Sequence, residues 1–379
     1  MNYGDTDNSE KYGAAVEFEG EPHEASVFFV NVGKADCAIV SVDGHTWLID
    51  TGTESSFSQV CAALGLLGAD ELDGVILTHE HDDHAGGLDP IAQRFGIGMV
   101  ITPECLNSRG EIDSVIYDNE LAAETRKAGE SIEITEDVSF SVLAPEKLSG
   151  GDDNNNSLVV KLTVNGRSFL FTGDMEKAEE ELLLASGADI SCDVLKVPNH
   201  GNNDATGEAF ADKASPLIAV ISTDTSVDGN SANRRVMARL GMAEVYVTQK
   251  YELGVLLTVS PRGEISLSFP ERPAAASTDI EVIEASKAQQ TFTVKNNGAE
   301  SVDLSGWFVY SSKGYEVFNF PEGTTIGAGE ELLVACRKSE LAGKADLVWH
   351  KKKVWADNKP DSAVLCDPYG NEISSFLSR

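Results

Sequence analysis

No CxxC pair occurs among the six cysteines, Cys37, Cys61, Cys105, Cys192, Cys336 and Cys366. Their wide scatter excludes both a zinc ribbon and a dense disulfide scaffold. They read as small core residues; Cys336 and Cys366, each in an apparent strand, are the pair to consider in an oxidising compartment. No apolar stretch is long enough to span a membrane, and residues 1–24 read as a polar leader without a signal-peptide core. A processed secretory protein would look the same, so this absence does not assign the cytoplasm. Basic residues are scarce: 29 Lys and Arg stand against 62 Asp and Glu, a formal net charge of −33. The imbalance lies before residue 276, where 18 basic residues face 47 acidic ones; the remainder has 11 against 15. Such a surface repels long polyanions and counts against tight nonspecific DNA binding, unless a local basic patch or bound metals hold the phosphates.

Histidine is scarcer still, with seven in 379 residues, yet three of them fall in His79-Glu80-His81-Asp82-Asp83-His84. This hexapeptide follows the apolar run Gly74-Val75-Ile76-Leu77-Thr78, so a buried strand delivers it to one end of a sheet, where loops converge. In an extended loop His79 and His81 point the same way and can grip one ion while Glu80 faces elsewhere. A helix starting around Ala85 turns Asp83 and His84 toward a second ion. Imidazole and carboxylate suit zinc and exclude neither manganese nor iron, so the pattern points to a two-metal hydrolase.

Two metals need further ligands, and only four other histidines exist. His23 in the leader, His45 in a hairpin turn and His350 beside Lys351-Lys352-Lys353 read as exposed. His200 differs, because it follows the run Asp193-Val194-Leu195-Lys196-Val197-Pro198-Asn199 and precedes Gly201, just past the end of a buried strand. Phe169-Leu170-Phe171-Thr172-Gly173-Asp174 repeats that grammar: a carboxylate ends the strand and a helix, 176–185, follows. Asp174 is placed to bridge both ions.

Leu48-Ile49-Asp50-Thr51-Gly52, the stretch 78–87, Thr172-Gly173-Asp174 and Lys196 to Gly201 together resemble the metallo-β-lactamase superfamily in order and spacing. Val32-Gly33-Lys34-Ala35-Asp36, Asn154-Asn155-Asn156-Ser157-Leu158 and the Leu-Lys-Val-x-x-His-Gly stretch resemble the hydrolase domain of bacterial DNA-uptake competence proteins. The resemblance implies an α/β four-layer αβ/βα sandwich with two divalent ions: His79 and His81 on one, Asp83 and His84 on the other, Asp174 bridging, and His200 completing the second. Asp50 would orient a ligand from behind. Many superfamily members carry another histidine between the hexapeptide and the bridging Asp; residues 85–173 contain none, and Asn155 or Asn156 lies where it would fall. The competence-like branch also lacks it, which leaves the first site weaker. That branch has His-His-Gly-Ser where this chain has Asn199-His200-Gly201-Asn202.

The segment Pro270-Glu271-Arg272-Pro273-Ala274-Ala275-Ala276-Ser277 separates mixed α and β patterning from short strands with turn signals. The expected division is a leader over 1–24, a hydrolase domain over 25–270, a linker over 271–277 and an all-β domain over 278–379. The last resembles the lamin tail domain, an immunoglobulin-like sandwich, through Leu304-Ser305-Gly306-Trp307, Phe320-Pro321-Glu322-Gly323-Thr324 and the stretch 355–365. Trp307 reads as core. Trp349 and Trp355 flank Lys351-Lys352-Lys353, which reads as an edge strand with solvating lysines or, less readily, as a polyanion contact.

The expected activity is hydrolysis of a phosphate ester, plausibly a phosphodiester, by a hydroxide held between two metals, with Asp83 orienting the nucleophile or accepting its proton. Lys34, Asn155, Asn156, Ser157 and Asn199 are the candidate substrate contacts. The same scaffold also supports carboxylic ester, thioester or lactam cleavage. A third reading makes the chain a surface-binding protein with a vestigial metal site, and the retained ligand set argues against it. The resemblances favour action outside the membrane, with the last domain binding a cell-surface or protein partner.

Overall fold

The computed structural model describes residues 10–12, 15–104, 109–147, 153–355 and 360–379. The chain forms two compact units. One comprises Met1–Val60, Ala69–Leu88 and Ile97–Glu271; the other comprises Cys61–Gly68, Asp89–Gly96 and Arg272–Arg379.

The first unit is built on a nine-stranded and a seven-stranded sheet. In the nine-stranded sheet, Ala25–Val30, Ala38–Val42 and His45–Ile49 run as an antiparallel meander, and Glu71–Ile76 adds in parallel with Ile49 opposite Ile76. In the seven-stranded sheet, Arg167–Phe171, Val194–Lys196, Ile218–Ile221 and Glu244–Val247 are all parallel. These strands are apolar almost throughout because both of their faces are covered. In Ala25–Val30, Val27 and Phe29 belong to the core between the sheets, while Phe28, also fully buried, points to the opposite face. Phe29 meets Phe171 across the sheets at 5.8 Å, and Trp47 meets Phe140 edge-on at 6.1 Å. On the outer face of the second sheet, Leu170, Leu195, Ala219 and Ile221 pack against Leu183, Phe210 and Val236 of three helices. The layers are those of an αβ/βα sandwich.

Three expectations change here. The helix expected from Ala85 begins earlier, as the short Asp82–Ala85 helix, with two carboxylates in its first turn where the helix dipole favours them. The leader is part of the fold: Glu10–Tyr12 pairs with the strand Ile265–Ser268, Glu10 opposite Leu267 and Tyr12 opposite Ile265. His23 is buried rather than exposed, because its Nδ1 lies 2.7 Å from Asp43 and its backbone N–H donates to Asn165 Oδ1.

The second unit carries a four-stranded sheet, Ile280–Ser286, Thr291–Asn296, Glu331–Cys336 and Leu347–Trp349. It faces another made of Val317–Asn319, Phe308–Ser311, Ser362–Cys366 and Glu372–Leu377. Trp307, Trp349 and Trp355 are all core residues of this sandwich, so the two tryptophans beside the lysine run present no free ring for a polyanion. Leu347–Trp349 is an edge strand, and Lys352 and Lys353 are exposed. Cys336 and Cys366 lie on different sheets, both buried and both free; Cys105 falls outside the described residues. Segment 271–277 is bound into this unit at its C-terminal end: Asp367 accepts from Ala276 N–H, and the Asn371 amide donates to Pro273 O. Among the described residues no helix is long and apolar enough to cross a membrane.

Candidate metal centre

The parallel strands of both sheets end at one place. Ile49 leads to Asp50, Ile76 to the hexapeptide, Phe171 to Asp174, Lys196 to His200, and Ile221 to Ser222. Asp83, His84, Asp174 and His200 converge there, each offering an atom within 4.8 Å of those of the others. His84 Nε2 lies 3.3 Å from Asp174 Oδ2, and His200 Nε2 lies 3.2 Å from the same oxygen and 3.3 Å from Asp83 Oδ2.

Each imidazole is aimed from behind. His84 Nδ1–H donates to Asp50 Oδ2 at 2.8 Å, and Asp50 is itself fixed by the N–H and hydroxyl of Thr78 at 2.7 and 2.8 Å. His200 Nδ1–H donates to the carbonyl of Ser222 at 2.8 Å. Both rings therefore turn Nε2 inward, where His84 Nε2, His200 Nε2 and Asp174 Oδ1 are buried without a hydrogen bond. Orphaned buried polar atoms are costly, and the two Nε2 atoms facing the Asp174 carboxylate fit a divalent ion, with the rings oriented as metal-bound histidines require.

His79 and His81 form a separate pair, His79 Nε2 facing His81 Nδ1 at 3.0 Å. His79 is buried against His84, their ring centroids 4.1 Å apart, whereas His81 is exposed. The carboxylate beside His81 is Asp153, 3.8 Å from its Nε2. The Asn155 carbonyl accepts the N–H groups of Glu176 and Glu179, at the start of the helix Lys177–Ser186. Asn156 is buried, and Ser157 Oγ accepts Asp174 N–H at 3.2 Å. The Asn199 amide donates to Glu176 and Asp204, which holds it in the wall of the site. Lys34 Nζ lies 2.6 Å from Asp83 Oδ2.

The site also includes two residues absent from the sequence-based set. Asp36 and Lys196 form a buried ion pair, each side chain 5% exposed, beneath the two inward imidazoles. A lysine inside Val194-Leu195-Lys196-Val197 was the available signal, because a charge buried in a strand requires a partner. Asp36, Asp50 and His84 form a second acidic cluster. Lys196 already supplies a cation on Asp36, so this cluster needs no second ion.

The groups shift one another strongly. Burial opposes charge on His200, but Asp174 and Asp36 outweigh it and push its pKa up to about 9. Burial likewise opposes charge on His84, and Asp174 and Asp50 hold it well above the ordinary imidazole range. His79, desolvated and beside His84, is held well below that range and is neutral. Burial raises Asp83 and Asp174, yet His200 and His84, joined at Asp83 by Lys34, hold both carboxyls well below the usual range.

Backbone strain collects at the same loops. Asp50, Asn199 and His200 have φ of 59°, 46° and 51°, left-handed values that non-glycine residues adopt at a cost. Gly173, with φ of 50°, precedes Asp174, and a Cβ there would lie 2.8 Å from both Cβ and Oγ1 of Thr78 and 2.9 Å from Ser157 Cβ. Gly173→Ala should destabilise the unit by about 2 kcal/mol or more, read as a lowered denaturation midpoint; an unchanged midpoint would show that this turn is not tightly packed.

Residues 30–225 match the family described as the Metallo-beta-lactamase superfamily, and the chain belongs to that superfamily of metal-dependent hydrolases. Residues 273–377 match the Lamin Tail Domain. A competence protein is among its relatives. ComE operon protein 3 of Bacillus subtilis (strain 168) is 28% identical over 254 residues, covering 62% of this chain and 33% of that protein. Competence protein ComA of Neisseria gonorrhoeae is 28% identical over 204 residues, covering 53% of this chain and 27% of that protein. The chain thus spans about a third or less of the length of these relatives. Among solved structures, the metallo-beta-lactamase fold protein YhfI from Bacillus subtilis aligns with a TM-score of 0.44 at 12% identity, over 62% of this chain and 99% of that one.

Proposed function

We propose that this chain hydrolyses phosphate esters, phosphodiesters in particular, at a pair of divalent ions, with zinc favoured by the imidazole and carboxylate donors. His79 and His81 would hold one ion and Asp83, His84 and His200 the other, with Asp174 shared between them. Bound ions of this kind lower the pKa of a coordinated water toward neutrality and neutralise charge on phosphoryl oxygens. Asp50 keeps His84 in the tautomer that presents Nε2. Asp83, held ionised by its neighbours, orients the attacking water rather than storing its proton.

Lys34 carries the choice of substrate. Its ammonium stands on Asp83 with 27% of the side chain exposed, an anion-binding group beside a site made of carboxylates and imidazoles. A phosphoryl oxygen gains a charge-assisted bond there that a neutral ester or lactam does not. The charge of −33 favours short phosphodiesters over long nucleic acid. The resemblance to competence proteins supports action outside the membrane, and the lamin-tail region is the part we assign to a cell-surface or protein partner.

The chain, loaded with zinc or manganese, should be assayed on bis(p-nitrophenyl) phosphate, a p-nitrophenyl carboxylic ester, a thioester and a chromogenic lactam. Turnover confined to the lactam or the thioester would sink the phosphodiester reading. Lys34→Ala should raise KM for the phosphodiester roughly 10- to 100-fold, the worth of one bond to a charged group, with metal content unchanged. An unaltered KM would remove Lys34 from substrate binding.

A further inference from the structure

Asp36 lies on the far side of the two inward-facing imidazoles from Asp174, and Lys196 reaches from Asp36 to Asp174. Asp36 Oδ2 is 3.7 Å from His84 Nδ1, and Asp36 Oδ1 is 3.7 Å from His200 Nδ1, so one carboxylate spans both rings. Its backbone joins the same loops: Asp36 N–H donates to Asp83 O at 2.9 Å, and Gly52 N–H donates to Asp36 O at 2.8 Å. Lys196 comes from the other sheet. Its Nζ pairs with Asp36, donates to Gly173 O at 2.9 Å and lies 3.7 Å from Asp174 Oδ1, an oxygen with no hydrogen bond.

Neither residue reaches the point where the four candidate ligands converge. Each instead touches what holds them: Asp36 the two imidazoles, Lys196 the turn and carboxylate of Asp174. Their charges also act on any cation placed there, and with opposite sign. The Asp36 carboxylate attracts a divalent ion through the rings, and the Lys196 ammonium repels it while drawing negative charge from Asp174. Water does not screen them at this depth.

We propose that Asp36 and Lys196 are a pair of positioning residues that sets the affinity of the quartet Asp83, His84, Asp174 and His200 for its divalent ion, Asp36 strengthening and Lys196 weakening the hold. A pair that only packed the floor of the site would weaken binding when either member was lost. A charge-setting pair moves it in opposite directions. This inference rests on the metal-site reading above.

The test titrates the metal-free full chain with Co2+, following its visible absorption and competing with a chromophoric chelator, while circular dichroism and thermal unfolding report the fold. Asp36→Asn should loosen Co2+ roughly 10- to 100-fold, as loss of an outer partner does. Lys196→Met should tighten it by about tenfold or more. The double variant, which removes both charges at once, should bind Co2+ more tightly than Asp36→Asn and more weakly than Lys196→Met. If both single variants bind Co2+ more weakly while folded, the pair is structural and the proposal falls. If either single variant does not fold, the double variant is compared with the one that does: a shift in the stated direction supports the proposal, and no shift or the opposite one overturns it. A folded wild-type chain that takes up no Co2+ overturns the metal-site reading and this inference with it.

Discussion

Asp174→Asn should cost most of the turnover and the bound metal in one step. Asp174 Oδ2 is the atom that both His84 Nε2 and His200 Nε2 approach, at 3.3 and 3.2 Å, and its Oδ1 is orphaned. The amide keeps the volume of the carboxylate and so leaves the packing nearly intact, but it cannot balance two neighbouring cations. A lost ligand forfeits several kcal/mol of transition-state stabilisation, which corresponds to a fall in kcat/KM of about 10³-fold or more. Metal content measured on the same sample should fall in parallel, and unfolding should show a retained fold. A variant with full turnover and full metal content would show that Asp174 is not a ligand. The same substitution takes away the leading opposite charge on His84 and His200, so both imidazoles should titrate at lower pH in the variant, which histidine proton resonances would report.

The parts of this centre that could be read without coordinates are those marked by chain grammar. An apolar run that stops at a Gly, Asp or His has a direction and an end, and Phe171 to Asp174 and Lys196 to His200 both show it. The structure brings Asp174 and His200 together with Asp83 and His84, whereas His79 and His81 form their own pair. What could not be read depends on partners distant in the chain. Asp36 lies in a loop between two strands of one sheet and Lys196 in a strand of the other, and nothing local tells the loop Asp that the strand Lys will reach it. His23 looked solvated because its neighbours are polar; its burial follows from Asp43 and Asn165, 20 and 142 residues away. Asn155 read as a candidate substrate contact; that its carbonyl is engaged by the N–H groups of Glu176 and Glu179 depends on a helix 21 to 24 residues further on and has no local mark. In the second unit, lysines next to tryptophans suggested a binding surface; strand alternation and packing put Trp349 and Trp355 inside and left the lysine heads outside.

Metal uptake should release protons, and its apparent affinity should climb steeply with pH. In the metal-free protein the centre holds four carboxylates, Asp36, Asp50, Asp83 and Asp174, against two lysines, Lys34 and Lys196, and two imidazoles, His84 and His200. With both imidazoles protonated the cluster is neutral, the cheapest state for a buried set of charges. The two imidazoles agree: His200 is pushed up to about 9 and His84 stands well above its ordinary value, in each case because neighbouring carboxylates outweigh burial, while burial raises Asp50. Both folded values exceed the unfolded value of 6.5. These protons therefore stabilise the metal-free fold fully below pH 6.5, and the stabilisation is lost as pH rises through the raised folded values, about 9 for His200 and well above 6.5 for His84. A divalent ion takes the place of two protons and leaves the cluster neutral. Between pH 6.5 and the folded pKa values each displaced proton makes apparent affinity rise roughly tenfold per pH unit, so two give about 100-fold. Zinc competition titrations at pH 6.5, 7.0 and 7.5 measure that slope, and calorimetry in buffers of different ionisation enthalpy counts the protons. A slope near zero with no proton released would mean that His84 and His200 are already neutral, and that the four carboxylates are balanced in some other way.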